Sequence, residues 1–112
     1  MTWRLAARFA DELNLDALTP TQVANALPVI AGRCLEIGRD PATLQVSVHI
    51  WGDAADVRPG DERRQRLRDY ASLGLGRAIF QGFAAVRDEH ALDGLIDDAL
   101  AVGLLDEAAS PA

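Results

Sequence analysis

Imidazole is the side chain that exchanges protons near neutral pH, so His49 is the first residue in this sequence to weigh as a chemical group. It stands at the end of the alternating segment Leu44 to Trp51, two residues before Trp51, an indole wide enough to stack on a planar ligand. Asn14 and Gln81 hold comparable places at the ends of two other apolar segments, and an amide there can both donate and accept hydrogen bonds. Each has a plainer competing role. Strand-end amides cap loops, a large aromatic fills a core or lid, and a lone histidine packs or is simply solvated.

Other chemistries find no support. The two histidines, His49 and His90, lie far apart and lack the carboxylate or cysteine spacing of a metal site. No nucleophile elbow is present, and Gly74-Leu75-Gly76 leads into a strand where a dinucleotide fingerprint would follow one. Cys34 falls on an apolar helical stripe and reads as a packed thiol. Arg63, Arg64, Arg66 and Arg68 form a basic run diluted by Asp61, Glu62 and Asp69, which reads as a solvated, ion-paired helix face. Asp93, Asp97 and Asp98 read as an exposed acidic face of another helix.

Composition narrows the class further. A net charge of −6, with 11 arginines and no lysine, argues against a phosphate-backbone binder, and no nucleic-acid partner is expected. One cysteine forms no intrachain disulfide. No signal segment and no run of 18 apolar residues occurs, so the expected setting is cytoplasmic with no membrane partner.

The elements that must position these residues alternate. Trp3, Ala6, Ala7 and Ala10 share one side of a helix over Thr2 to Ala10, and Leu13 to Leu15 make a short strand. Thr19-Pro20-Thr21-Gln22 is a capping box with proline at the first helical position. It opens a helix whose stripe is Val23, Leu27, Ile30, Cys34 and Ile37, bent at Pro28 and closed by Gly38. The strand Leu44 to Trp51 follows, with Val46, Val48 and Ile50 on one face and Ser47, His49 and Trp51 on the other. After a loop come a charged helix, Asp61 to Leu73, and an apolar strand, Ala78 to Phe83, that reads as covered on both faces. A last helix, Asp88 to Leu104, turns Leu92, Leu95, Ile96, Ala99 and Val102 inward, and residues 106–112 form a frayed tail.

The order predicts an α/β fold of about three parallel strands and four helices, residues 1–112 making a single partial domain. A sector of a TIM-type (β/α) barrel and part of a doubly wound sheet both fit. A pattern that opens on a helix is expected to be the back part of a larger α/β fold. A chain of this length buries about two-thirds of its unfolded surface, so an uncovered sheet face would favour self-association or a complementing chain.

Three stretches carry a family resemblance: Thr2-Trp3-Arg4-Leu5-Ala6-Ala7-Arg8-Phe9-Ala10-Asp11 with Asn14, then Arg33-Cys34-Leu35-Glu36-Ile37-Gly38-Arg39-Asp40-Pro41, and Gln81-Gly82-Phe83. Together they resemble the C-terminal section of luciferase-like flavin- and deazaflavin-dependent oxidoreductases. The resemblance implies a TIM-type barrel, FMN or a deazaflavin of the coenzyme F-420 type, and hydride transfer or monooxygenation of a small-molecule substrate. It implies that Thr2, Asn14, His49 and Gln81 are the positions nearest the cofactor, Thr2 at the helix start where phosphate binds. Family members carry a glycine-rich phosphate loop before that helix, where this sequence has Met1. They draw their acid-base residues from the first half of the barrel. No catalytic residue and no metal ligand is therefore expected here, and the expected reading is a C-terminal fragment inactive alone, or else a non-catalytic module that associates through open sheet edges.

Overall fold

A computed structural model of the chain describes residues 3–51, 58–81 and 88–104, with the side chains of Trp51 and Gln81 outside that description. Its elements are α1 (Trp3–Phe9), β1 (Glu12–Asp16), α2 (Pro20–Glu36), a 3-10 turn (Pro41–Thr43), β2 (Gln45–Trp51), α3 (Asp61–Ala71), β3 (Arg77–Gln81) and α4 (Glu89–Ala101). The three strands form one open, all-parallel sheet in the order β1-β2-β3. The fold is α/β, with four helices and a three-stranded parallel sheet among the described residues, as the alternation predicts. No described helix is long and apolar enough to cross a membrane.

Contacts divide the chain into two compact units, Met1–Ile50 with Leu73–Ile79, and Trp51–Ser72 with Phe80–Ala112. In the first, β1 and β2 pair with Asn14 opposite Ser47 and Asp16 opposite His49. The Gly76 N–H donates to Val46 O at 2.8 Å and ties the start of β3 to β2. Alternation then sorts the side chains. Leu13, Leu15, Val48 and Ile50 are buried with Val23, Ala26, Ile30 and Cys34 of α2 and Ala6 and Ala7 of α1. Full burial of a side chain such as Val23 contributes about 1.5–3 kcal/mol. Ile37 departs from the expected stripe and is exposed, because it sits at the C-cap just past the last helical turn.

The ends of α2 follow from local chemistry. Thr19 Oγ1 accepts from Gln22 N at 3.2 Å while Gln22 Oε1 accepts from Thr19 N at 2.9 Å, so two donors at the helix start are satisfied reciprocally. At the other end Gly38, with φ +74°, turns the chain left-handed. Arg39 N then reaches Cys34 O at 3.0 Å and Gly38 N reaches Leu35 O at 3.1 Å, a Schellman closure. Pro28 is accommodated within the continuous helix.

Arg39 joins three elements. Its Nη1 donates to Ala7 O and Ala10 O, both at 2.8 Å, its Nη2 to Thr43 O at 3.0 Å, and its Nε to Thr43 Oγ1 at 2.9 Å. The planar fork thus satisfies carbonyls left open at the end of α1 and fixes them to the turn leading into β2. Asp40 caps that turn through its side chain to Ala42 N at 3.0 Å.

In the second unit the two charged readings are corrected. Arg63 and Asp98 are each 3% exposed, not on solvated faces. Asp98 accepts from Arg63 Nε at 2.6 Å, Arg64 Nε at 2.8 Å and Gly60 N at 3.0 Å, so one carboxylate links α4 to the first turn of α3. Burial pushes the Asp98 carboxyl up, but the Gly60 N–H and the two guanidiniums outweigh it and hold it below the usual carboxylate range. The expected inward stripe of α4 shifts accordingly: Leu92 and Ile96 are 42% and 38% exposed. Leu67 and Tyr70 of α3 are buried as expected, whereas Ala71 is exposed. The strand expected over Ala78 to Phe83 is described as Arg77–Gln81, and its Ile79 is exposed, so it is not covered on both faces.

Candidate functional site

The residues that alternate away from the buried face of β1 and β2 are Glu12, Asn14 and Asp16, and Gln45, Ser47 and His49. Parallel pairing brings them side by side on one face of the sheet. Arg77, first in β3, reaches the same face. Its Nε donates to Glu12 Oε2 at 3.0 Å and its Nη2 to Glu12 Oε1 at 2.5 Å, across the intervening strand β2. Directly between them lies Ser47, fully buried, whose hydroxyl donates to Glu12 Oε2 at 2.7 Å. Asn14 Nδ2 in turn donates to Ser47 Oγ at 3.0 Å.

This is a polar ladder crossing all three strands. The bidentate Arg77 guanidinium is the main influence holding the Glu12 carboxyl below the usual carboxylate range, and the Ser47 hydroxyl adds to it. A small side chain at 47 is what lets Glu12 and Arg77 meet. Sequence alternation placed Ser47 on this face but gave no sign of the ladder, because Glu12 and Arg77 are 65 positions apart.

Two expected cofactor residues share this face. Asn14 is exposed, and His49 is half-buried with its Nε2 shielded from solvent. They occupy adjacent strands two register positions apart, Asn14 opposite Ser47 and His49 opposite Asp16, with His49 on the carboxyl-end side, where strand-end sites form in β/α folds. Gln81 is the last residue of β3, and its side chain lies outside the described residues, as does that of Trp51. Thr2 lies outside them altogether, together with Gly82 and Phe83. Among the described residues, no group of three or more His, Cys, Asp or Glu is arranged to hold a metal ion.

Hollows among the described residues lie elsewhere. A groove of about 470 Å³, lined by Leu27, Ile30, Leu44, Val46 and Gly76 among others, opens at the amino-terminal ends of β2 and β3. A pocket of about 290 Å³ in the second unit is bordered by Arg63, His90, Asp93 and Asp97. Neither includes Asn14 or His49.

No protein-family model matches the chain, and no curated protein matches it.

Proposed function

We propose that the chain forms one wall of a flavin- or deazaflavin-binding site in a luciferase-like oxidoreductase barrel, contributing ligand contacts without carrying out turnover by itself. The observation that carries this reading is the polar face shared by β1 and β2, on which Asn14, opposite Ser47, and His49, opposite Asp16, stand diagonally to one another. That donor set suits a planar heterocycle rich in ring carbonyls and N–H groups. Asn14 and His49 would hold the edge of such a ring, and Gln81, at the end of β3, would approach it from the third strand. The bound group would supply hydride or oxygen-transfer chemistry in a cytoplasmic setting.

The two longer stretches on which the resemblance rests touch in the fold, which bears on architecture alone: Arg39 of the second holds Ala7 O and Ala10 O of the first, and Arg4 Nε lies 3.5 Å from Glu36 Oε2.

Fluorescence titration of the purified chain with FMN, and separately with an F-420 type deazaflavin, tests the proposal. The expected result is weak, saturable binding of one of them, reduced in Asn14→Ala and His49→Ala, with no turnover on addition of reductant and oxygen. Identical titrations for wild type and both variants would remove the site. Submicromolar binding with turnover would show that the chain is more than a wall.

A second reading, a non-catalytic module pairing with itself or a complementing chain, is favoured by a specific observation. β1 and β3 end the sheet among the described residues, and Leu5, Phe9 and Leu35 of the first unit are 50%, 76% and 66% exposed. Sedimentation across a hundredfold concentration range is expected to show association, and a strictly monomeric species with one cooperative melt would remove this alternative.

A further inference from the structure

The ladder across the sheet has a direction. Arg77 engages both oxygens of Glu12, which as a carboxylate can only accept. Ser47 has a single hydroxyl proton, and it points to Glu12 Oε2 at 2.7 Å. Because Ser47 is fully buried, that proton has no solvent alternative. Toward Asn14, therefore, the Ser47 oxygen is left only as an acceptor. The group it takes at 3.0 Å must be the amide nitrogen, which turns Oδ1 of Asn14 to the other side. Amide orientation is ordinarily ambiguous, but here the network decides it.

We propose that Asn14 meets its ligand as a hydrogen-bond acceptor, its amide polarity set by Glu12 and Arg77 acting through Ser47. Asn14 is exposed, so the outward oxygen is in reach of a ligand. The ligand class is a planar heterocycle presenting a ring N–H at that edge. The identity of the ligand rests on the flavin reading above, and FMN and its deazaflavin analogues share the required edge, a pyrimidinedione with one N–H between two carbonyls. Ser47, Glu12 and Arg77 are positioning residues that act through Asn14. Among the described residues of β1 and β2, the other charged or titratable groups on this face are Asp16 and His49, two register positions beyond.

The polarity and the ligand are tested separately. Asn14 and Asn25 are the two asparagines of the chain, so their side-chain amide signals can be assigned in a nitrogen-15 spectrum by the Asn14→Asp substitution. In the wild type the Asn14 amide protons are expected to exchange about fivefold or more slowly than those of exposed Asn25, reflecting one hydrogen bond. In Glu12→Gln the new amide accepts from Arg77 and donates to Ser47. The hydroxyl proton is then released toward Asn14, whose amide turns over and loses its protection. Equal exchange of Asn14 and Asn25 in the wild type overturns the proposal even if Glu12→Gln fails to fold. For the ligand, FMN and its N3-methyl analogue are titrated in parallel, with FMN expected to bind about fivefold more tightly to wild type and with no preference in Glu12→Gln. Equal affinity of the two probes for the wild type removes the acceptor role. A protected Asn14 with no binding of either probe removes the flavin reading instead.

Discussion

Replacing Asp98 with asparagine keeps the volume and one acceptor oxygen but removes the charge, which leaves the Arg63 guanidinium buried without its counter-ion. Asp98 is 4% and Arg63 3% exposed in their side chains, so solvent does little to offset the loss. Breaking one side of a buried pair typically costs about 3–5 kcal/mol, and the Gly60 N–H keeps only a weaker, neutral acceptor. Set against a total stability on the order of 5–15 kcal/mol for a domain, this is a large share. At roughly 4–8 °C per kcal/mol for small domains, the midpoint should fall by about 12–40 °C. Arg64, 36% exposed, contributes far less, and Arg64→Gln should cost below about 1 kcal/mol. The joint change Asp98→Leu with Arg63→Met removes both charges and should recover most of the loss. Urea unfolding followed by circular dichroism measures the total, and native-state hydrogen exchange at Arg63 to Tyr70 reports where it is felt. Asp98→Asn costing under about 1 kcal/mol, with no recovery in the double variant, would refute the buried-pair reasoning.

The pH dependence has a defined sign. Asp98 is depressed in the fold, so the unfolded chain binds the extra proton. Its contribution is intact above the ordinary carboxylate range and disappears as pH falls from there through the folded value. Acid titration of stability should therefore be flatter in Asp98→Asn over that window. Arg39→Lys cannot reproduce a fork that holds Ala7 O, Ala10 O and Thr43 at once, and should cost about 1–3 kcal/mol in urea unfolding. Thr19→Ala removes half of a reciprocal cap and should cost about 1 kcal/mol, with exchange accelerating in the first turn of α2. At Gly38 an added methyl meets nothing within 4 Å, yet φ +74° penalises any Cβ, so Gly38→Ala should also lose about 1 kcal/mol.

The elements were legible because their signals are local. Thr19-Pro20-Thr21-Gln22, Gly38 and the alternation of Val46, Val48 and Ile50 each declare a cap, a stop or a strand within a few residues. Arg63 and Asp98 were not legible, for a physical reason. Each is charged and sits in a charged run, so every local measure sends it to solvent. What buries it is a partner 35 positions away. Once Asp98 turns inward, the apolar stripe of α4 rotates partly outward, which explains the exposure of Leu92 and Ile96. Of the candidate site, alternation set Ser47 and His49 on one face of β2, but that Asn14 shares it follows from the pairing of β1 with β2. It did not reveal the Glu12-Ser47-Arg77 chain, which depends on register between three strands.

The stretch Arg33 to Pro41 shows how resemblance and chemistry can separate. Every polar residue in it has a structural task. Arg33 pairs with Glu36 at 2.7 Å, Arg39 clamps α1 to the turn, and Asp40 caps that turn, while Gly38 reverses the chain and Cys34 is packed away. A motif of this kind specifies how α1, α2 and β2 meet. It says nothing by itself about a ligand. The geometry it enforces, however, sets β1 against β2 with Asn14 beside Ser47, and that register is what allows a carboxylate and a guanidinium to orient an exposed amide. The motif thus bears on function through architecture. A change at Arg39 should disturb the Asn14 amide without touching it, whereas a change at Glu12 should turn that amide over and leave the Arg39 contacts as they are.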